Sequence, residues 1–140
     1  MYDQEDFCRP AGGRREGIHG FYESLGFKNN PRFTSETAAG MMWSDEINFM
    51  LLSREKWQTM TTRLIPPSTS SEVMLALSLD SRDAVDAMAA AAAANGGTAD
   101  INPIEDHGFM YTRDLADPDG HAVGAMWMGV PAMPSGNKAD

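Results

Sequence analysis

The stretch Phe109–Met128, FMYTRDLADPDGHAVGAMWM, decides the fold. Two runs of alternating character flank Asp117-Pro118-Asp119-Gly120. The proline fixes φ and the glycine permits positive φ, so the segment reads as a β-hairpin. On its last strand Val123, Ala125 and Trp127 form one face, against Ala122, Gly124, Met126 and Met128 on the other. On the preceding strand Phe109, Tyr111 and Arg113 share a face; if that face is concave, Arg113 is placed to bind a carboxylate or phosphate and Tyr111 to donate a hydrogen bond. The preferred reading of Arg113 is an ion pair with Asp117 or Asp119 that stiffens the hairpin.

Working outward, Val73, Leu75, Leu77 and Leu79 alternate with Met74, Ala76 and Ser78 as a strand. Ser81 has the chemistry of a helix N-cap, Arg82 to Asn95 reads as helix, and Gly96-Gly97 ends it. Thr98 to Pro103 is expected to be a further strand before the hairpin. In the first half, Ile18, Phe21, Tyr22 and Leu25 fall on one stripe of a helix spanning about 14–25, stopped by Gly26. Strands are expected over Phe27–Phe33, Ala38–Trp43 and Ile47–Ser53, the last two joined by a turn at Ser44-Asp45-Glu46. Residues 54–71 contain Pro66-Pro67 and a Ser/Thr cluster and read as a linker, with a helical turn around Glu55 to Met60.

The plan of one helix followed by three strands is thus written twice. The helix-ending glycines lie 97 − 26 = 71 positions apart, and the mid-strand positions Met50 and Gly124 lie 124 − 50 = 74 apart. This predicts an α+β fold of two βαβββ modules with pseudo-twofold symmetry, over about 1–53 and 72–128, with a tail from 129 to 140.

At 140 residues and 42% hydrophobic composition the chain is expected to be a single domain with a real core. A formal charge of −9 without any basic stripe argues against nucleic acid as a partner. No apolar run reaches the ~18 residues of a membrane span, and a single cysteine, Cys8, excludes an internal disulfide. A cytoplasmic location is the default expectation. Gly12-Gly13 follows no credible strand and Gly96-Gly97 ends a helix, so neither reads as a phosphate loop.

Phe21-Tyr22-Glu23-Ser24-Leu25-Gly26-Phe27 and the Asp-Pro-Asp-Gly-His turn, in that order and separation, resemble the vicinal-oxygen-chelate superfamily. That superfamily includes glyoxalase I, bleomycin-resistance proteins and extradiol dioxygenases, and the resemblance runs from about Gly20 to Met128. It implies a curved mixed sheet enclosing a pocket, helices on the outer faces, and a homodimer. Metal-dependent relatives place His, Gln or Glu on the first, fourth, fifth and eighth strands, which correspond here to roughly Phe7, Met50, Met74 and Gly124. Phenylalanine and glycine side chains offer no donor and a thioether is too soft for a hard divalent ion, so neither a metal at the usual position nor any other cofactor is expected. The N-terminus also departs from the family. Arg9, Pro10, Gly12 and Gly13 interrupt the expected first strand, leaving only Phe7-Cys8 able to pair.

The candidate pocket residues are Asn48, Met50, Met74, Ala76, Phe109, Tyr111, Arg113, Gly124 and Met126. Asp117 and Asp119 are expected to make local turn hydrogen bonds rather than form a carboxylate dyad, and His121 to stiffen the same turn. His19 is expected to be a packing or surface residue and His107 a loop residue. The resemblance and the apolar pocket imply a protein that binds a small organic molecule without transforming it. The alternative is a glyoxalase-like lyase or dioxygenase using a displaced metal site, drawing on Asp3, Glu5, Asp6, Glu105 or His107.

Overall fold

The computed structural model describes residues 17–129, so the expected strand at Phe7-Cys8 and the alternative ligands Asp3, Glu5 and Asp6 lie outside the described residues. Helix α1 (Gly17–Ser24) ends at Gly26, whose φ of +111° is open to glycine at little cost. Strand β1 is short, Lys28–Asn30, where a run to Phe33 was expected. Asn30 accepts a hydrogen bond from the Arg32 amide and Pro31 opens a 3-10 turn over Pro31–Phe33, so side-chain capping stops the strand. Strands β2 (Ala38–Met42) and β3 (Asn48–Leu52) complete an antiparallel sheet in the order β1-β2-β3. Ser53 then caps α2 (Arg54–Met60), the helical turn expected within the linker.

The second half opens with β4 (Met74–Ser78) and α3 (Arg82–Ala94), the latter N-capped by Ser81 through the Ala84 amide. Only Thr98–Ala99 of the strand expected over 98–103 forms, as β5, and a short β6 (Glu105–Asp106) follows. The hairpin is β7 (Met110–Ala116) and β8 (Ala122–Met128). The sheet order is β4-β8-β7-β5 with β6 also paired to β7, and β4 lies parallel to β8.

The two sheets repeat each other in register. Ala38 pairs with Leu52 as Thr112 pairs with Met126, and Gly40 with Met50 as Asp114 with Gly124, a constant offset of 114 − 40 = 74. The helix sides merge into a single core. Ile18, Phe21 and Tyr22 of α1 join Met41 and Leu51 of the first sheet, Val85 and Met88 of α3, and Leu115 and Val123 of the hairpin. Close approach between the halves depends on Gly97, where an added Cβ would stand 2.4 Å from both the Ala116 carbonyl oxygen and Phe21 Cε1. No helix among the described residues is long and apolar enough to cross a membrane.

Candidate functional site

Strand alternation divides each sheet into a face packed on the helices and an open face. On β3, Leu51 is buried and Phe49 packs against the core, which leaves Asn48, Met50 and Leu52 on the open side, with Met50 51% exposed. On β4, Leu77 is buried and Met74, Ala76 and Ser78 are open. On β8, Val123 and Ala125 are buried against the helices, so Gly124 and Met126 belong to the open side. Six of the nine expected pocket positions, Asn48, Met50, Met74, Ala76, Gly124 and Met126, therefore share the open faces.

The hairpin register puts the remaining three elsewhere. Tyr111 pairs with Trp127, Arg113 with Ala125 and Leu115 with Val123, and cross-strand partners share a face. Leu115 is fully buried under the helices, so Tyr111 and Arg113 lie on the helix side of the sheet. Arg113 donates to Asp100 at 2.7 and 3.0 Å and to Asp86 of α3 at 3.0 Å. Its partners are thus neither Asp117 nor Asp119. Tyr111 donates to Asp86 at 2.6 Å, and Arg82 stacks 4.4 Å from the Tyr111 ring centroid while pairing with Asp106. The Tyr111 hydroxyl and then Arg113 hold the Asp86 carboxyl below the usual range, and Arg113 does the same for Asp100. Phe109 precedes β7, with its ring 6.4 Å from that of His107.

What alternation leaves open on β7 is Met110, Thr112, Asp114 and Ala116, and of these Asp114 was not among the expected site residues. It sits opposite Gly124, and a Cβ at Gly124 would come within 3.3 Å of Asp114 Oδ1 and 3.5 Å of Met74 Cε. The first sheet has the same device with different chemistry. Gly40, the counterpart of Asp114, lies beneath Met50 Sδ at 3.5 Å and Phe33 Cβ at 3.0 Å, measured from its would-be Cβ.

Between the sheets runs a cleft of about 400 Å³. Phe49, Met50 and Leu51 line one side, Val73, Leu75, Ala122 and Val123 the other, with Tyr22 beneath and Ser70–Glu72 at the rim. Leu75 shares the aliphatic face of Leu77 yet remains 49% exposed, because among the described residues β3 pairs only with β2 and β4 only with β8. A second, more polar cleft of about 330 Å³ separates α2 and the linker from the hairpin turn.

The hairpin turn is fixed from below. Asp117, 3% exposed, accepts from the Asp119 and His121 amides on Oδ1 and from the Tyr22 hydroxyl on Oδ2 at 2.8 Å. The two segments that carry the family resemblance are therefore bonded to each other across the modules. Gly120, at φ +92°, lies against the linker, and a Cβ there would stand 2.0 Å from the Ser68 carbonyl oxygen.

Solved structures with the same architecture decide the family of folds. A glyoxalase/bleomycin resistance protein/dioxygenase family enzyme from Burkholderia phytofirmans PsJN superposes with a TM-score of 0.65 at 19% identity, over 79% of this chain and 87% of that one. A glyoxalase/bleomycin resistance protein from Albidiferax ferrireducens T118 gives 0.56 at 23% identity, covering 76% and 84%. A glyoxylase/bleomycin resistance protein/dioxygenase domain from Frankia sp. EAN1pec gives 0.60 at 19% identity, covering 94% and 87%. This chain has the vicinal-oxygen-chelate fold. No family model and no curated protein matches the sequence.

Three of the positions that the resemblance pairs with metal ligands, Met50, Met74 and Gly124, fall within the described residues and carry no nitrogen or oxygen donor in their side chains. Met50 and Met74 present thioethers, and at Gly124 the space in which a chelating side chain would begin is bordered by Asp114 and Met74. The one grouping of candidate ligands among the described residues is Asp117, Asp119 and His121, whose ligand atoms lie within 4.8 Å of one another. Both oxygens of Asp117 already accept hydrogen bonds there, which is the local turn role expected of it.

Proposed function

We propose that this vicinal-oxygen-chelate chain binds a small organic molecule with a largely apolar surface, and does so without a metal at the superfamily's usual position. The observation that carries this reading is the cleft of about 400 Å³ lined by Phe49, Leu51, Leu75 and Val123, a size suited to a ligand of modest dimensions. The Met50 thioether adds adaptable apolar surface to its lining. The functions printed for similarly folded proteins, glyoxalase and bleomycin resistance, are consistent with an organic ligand of this kind.

The test is a thermal-shift screen of metabolites and drugs, with native mass spectrometry to detect a bound mass. Wild type is expected to be stabilised by at least one apolar class, and Leu75→Glu to lose that stabilisation while staying folded, since the side chain is half exposed. A flat response across every class would end the proposal. Stoichiometric metal by ICP-MS, removable by EDTA together with ligand binding or activity, would overturn its metal-free part.

A further inference from the structure

We propose that the cleft takes an extended peptide, or a peptide-like amide, which adds as a strand along the outer edge of β3. This rests on the small-molecule reading above and narrows it to a chemical class. In the antiparallel ladder of β2 and β3 the Ser53 amide donates to the Thr37 carbonyl and the Trp43 amide to the Ile47 carbonyl, both at 2.9 Å. Residues bonded across such a ladder alternate with residues whose N–H and C=O point away from the partner strand, so those of Asn48, Met50 and Leu52 face outward. Among the described residues no strand meets them there.

The second sheet shows what such an edge accepts. At the offset of 74 the counterparts of Asn48, Met50 and Leu52 are Ala122, Gly124 and Met126. Against these β4 lies in parallel, with Met74 opposite Ala122, Ala76 opposite Gly124 and Ser78 opposite Met126, and the Leu79 amide donates to the Met126 carbonyl at 2.7 Å. The matching position beside β3 is the cleft. Phe49, Met50 and Leu51 line it and no residue of β2 does, so it opens on the outer side of β3. An apolar compound without amides would cover these walls and leave the outward N–H and C=O groups of β3 dry and unpaired, at a cost in free energy. A peptide backbone brings one donor and one acceptor per residue at the spacing of the edge itself, while its alternate side chains reach the apolar floor at Tyr22 and Val123. The sequence before Gly17 offers only Phe7-Cys8 as a pairing run, two residues against the five of β3.

The probe is the sequence of residues 73–78 as a free peptide, Val-Met-Leu-Ala-Leu-Ser, because β4 is the strand that the second sheet accepts; it is acetylated and carries two added C-terminal lysines for solubility. Titration calorimetry on the full chain compares it with two analogues N-methylated at its odd or its even residues, which keep every side chain and each lose one row of N–H donors. The parent is expected to bind, and at least one analogue to bind about tenfold or more weaker, tenfold being about 1.4 kcal/mol. Met50→Pro removes an N–H that faces away from β2, which an edge strand tolerates. It is expected to weaken the parent peptide about tenfold beyond Met50→Ala, which loses the same thioether and keeps the N–H. The analogues test the same point on wild type whether or not Met50→Pro folds. No binding of the parent, equal binding of the parent and both analogues, or equal affinities of the two folded Met50 variants would overturn the strand assignment, a silent parent leaving the edge to a second copy or to residues 1–16. Each of those results leaves the small-molecule reading standing where the thermal-shift screen finds an apolar ligand, and only a flat screen takes the broader reading with it.

Discussion

Tyr22 and Asp117 show how one bond can tie two distant pieces of sequence together. The hydroxyl donates into a carboxylate that is 3% exposed and already holds two turn amides. Tyr22→Phe keeps the ring contacts with Phe21 and Phe27 but leaves Asp117 Oδ2 without its donor. The expected loss is about 1–3 kcal/mol by denaturant titration, and an unchanged midpoint would show the bond to be energetically idle. Burial first, then the Asp117 charge, pushes the Tyr22 hydroxyl far above its ordinary pKa of 10.0. Below pH 10 both folded and unfolded states keep that proton. Above it the unfolded chain ionises while the folded one does not, so stability should fall as pH rises, by at most about 1.4 kcal/mol per unit for this group. Tyr22→Phe should remove that part of the alkaline slope, and identical slopes for both proteins would contradict the assignment. Gly120→Ala combines a left-handed backbone with a collision against Ser68, and should cost more than a loop substitution normally does.

At the scale of elements, the ion pairs around Arg113 join α3 to β7 and to the loop at Asp100, which has a φ of +58°. Arg113→Met should lower thermal stability slightly, more at low salt than at high salt, and leave ligand affinity untouched. A large loss of affinity would return Arg113 to the site. The lowered carboxylates keep these pairs intact above the ordinary aspartate pKa of 3.8, and the contribution is lost as pH falls through their folded values. The strands and helices themselves were legible, since the alternation on β4 and β8, the Ser81 cap and the glycine stops all act locally. The end of β1 at Asn30 was not, because it depends on a side chain capturing the Arg32 amide. On β7 the register turns Tyr111 and Arg113, named as pocket candidates because Tyr and Arg suit ligand binding, to the helix side. Counting outward from the Ala116–Ala122 pair at the turn closes Asp114 on Gly124, and that register held the correction all along.

For the molecule as a whole, the repeat was visible as a spacing of 74, but the fusion of both halves into one core was not. That fusion needs Phe21 to nest against Gly97, a contact between residues remote in sequence, and Gly97→Ala should destabilise by about 1–3 kcal/mol or more through overpacking. Among the described residues β3 and β4 each have one unpaired edge, which motivates the expectation of a homodimer, for which light scattering at micromolar concentration is the check, a monomer counting against it. Residues 61–73, which join the halves, form neither helix nor strand, and Arg63 is exposed there. Trypsin should therefore nick the chain at Arg63 early. Because each fragment would keep one partner of the Tyr22–Asp117 bond and a share of the same apolar interior, the cut protein should still elute as one particle, its pieces parting company only in denaturant.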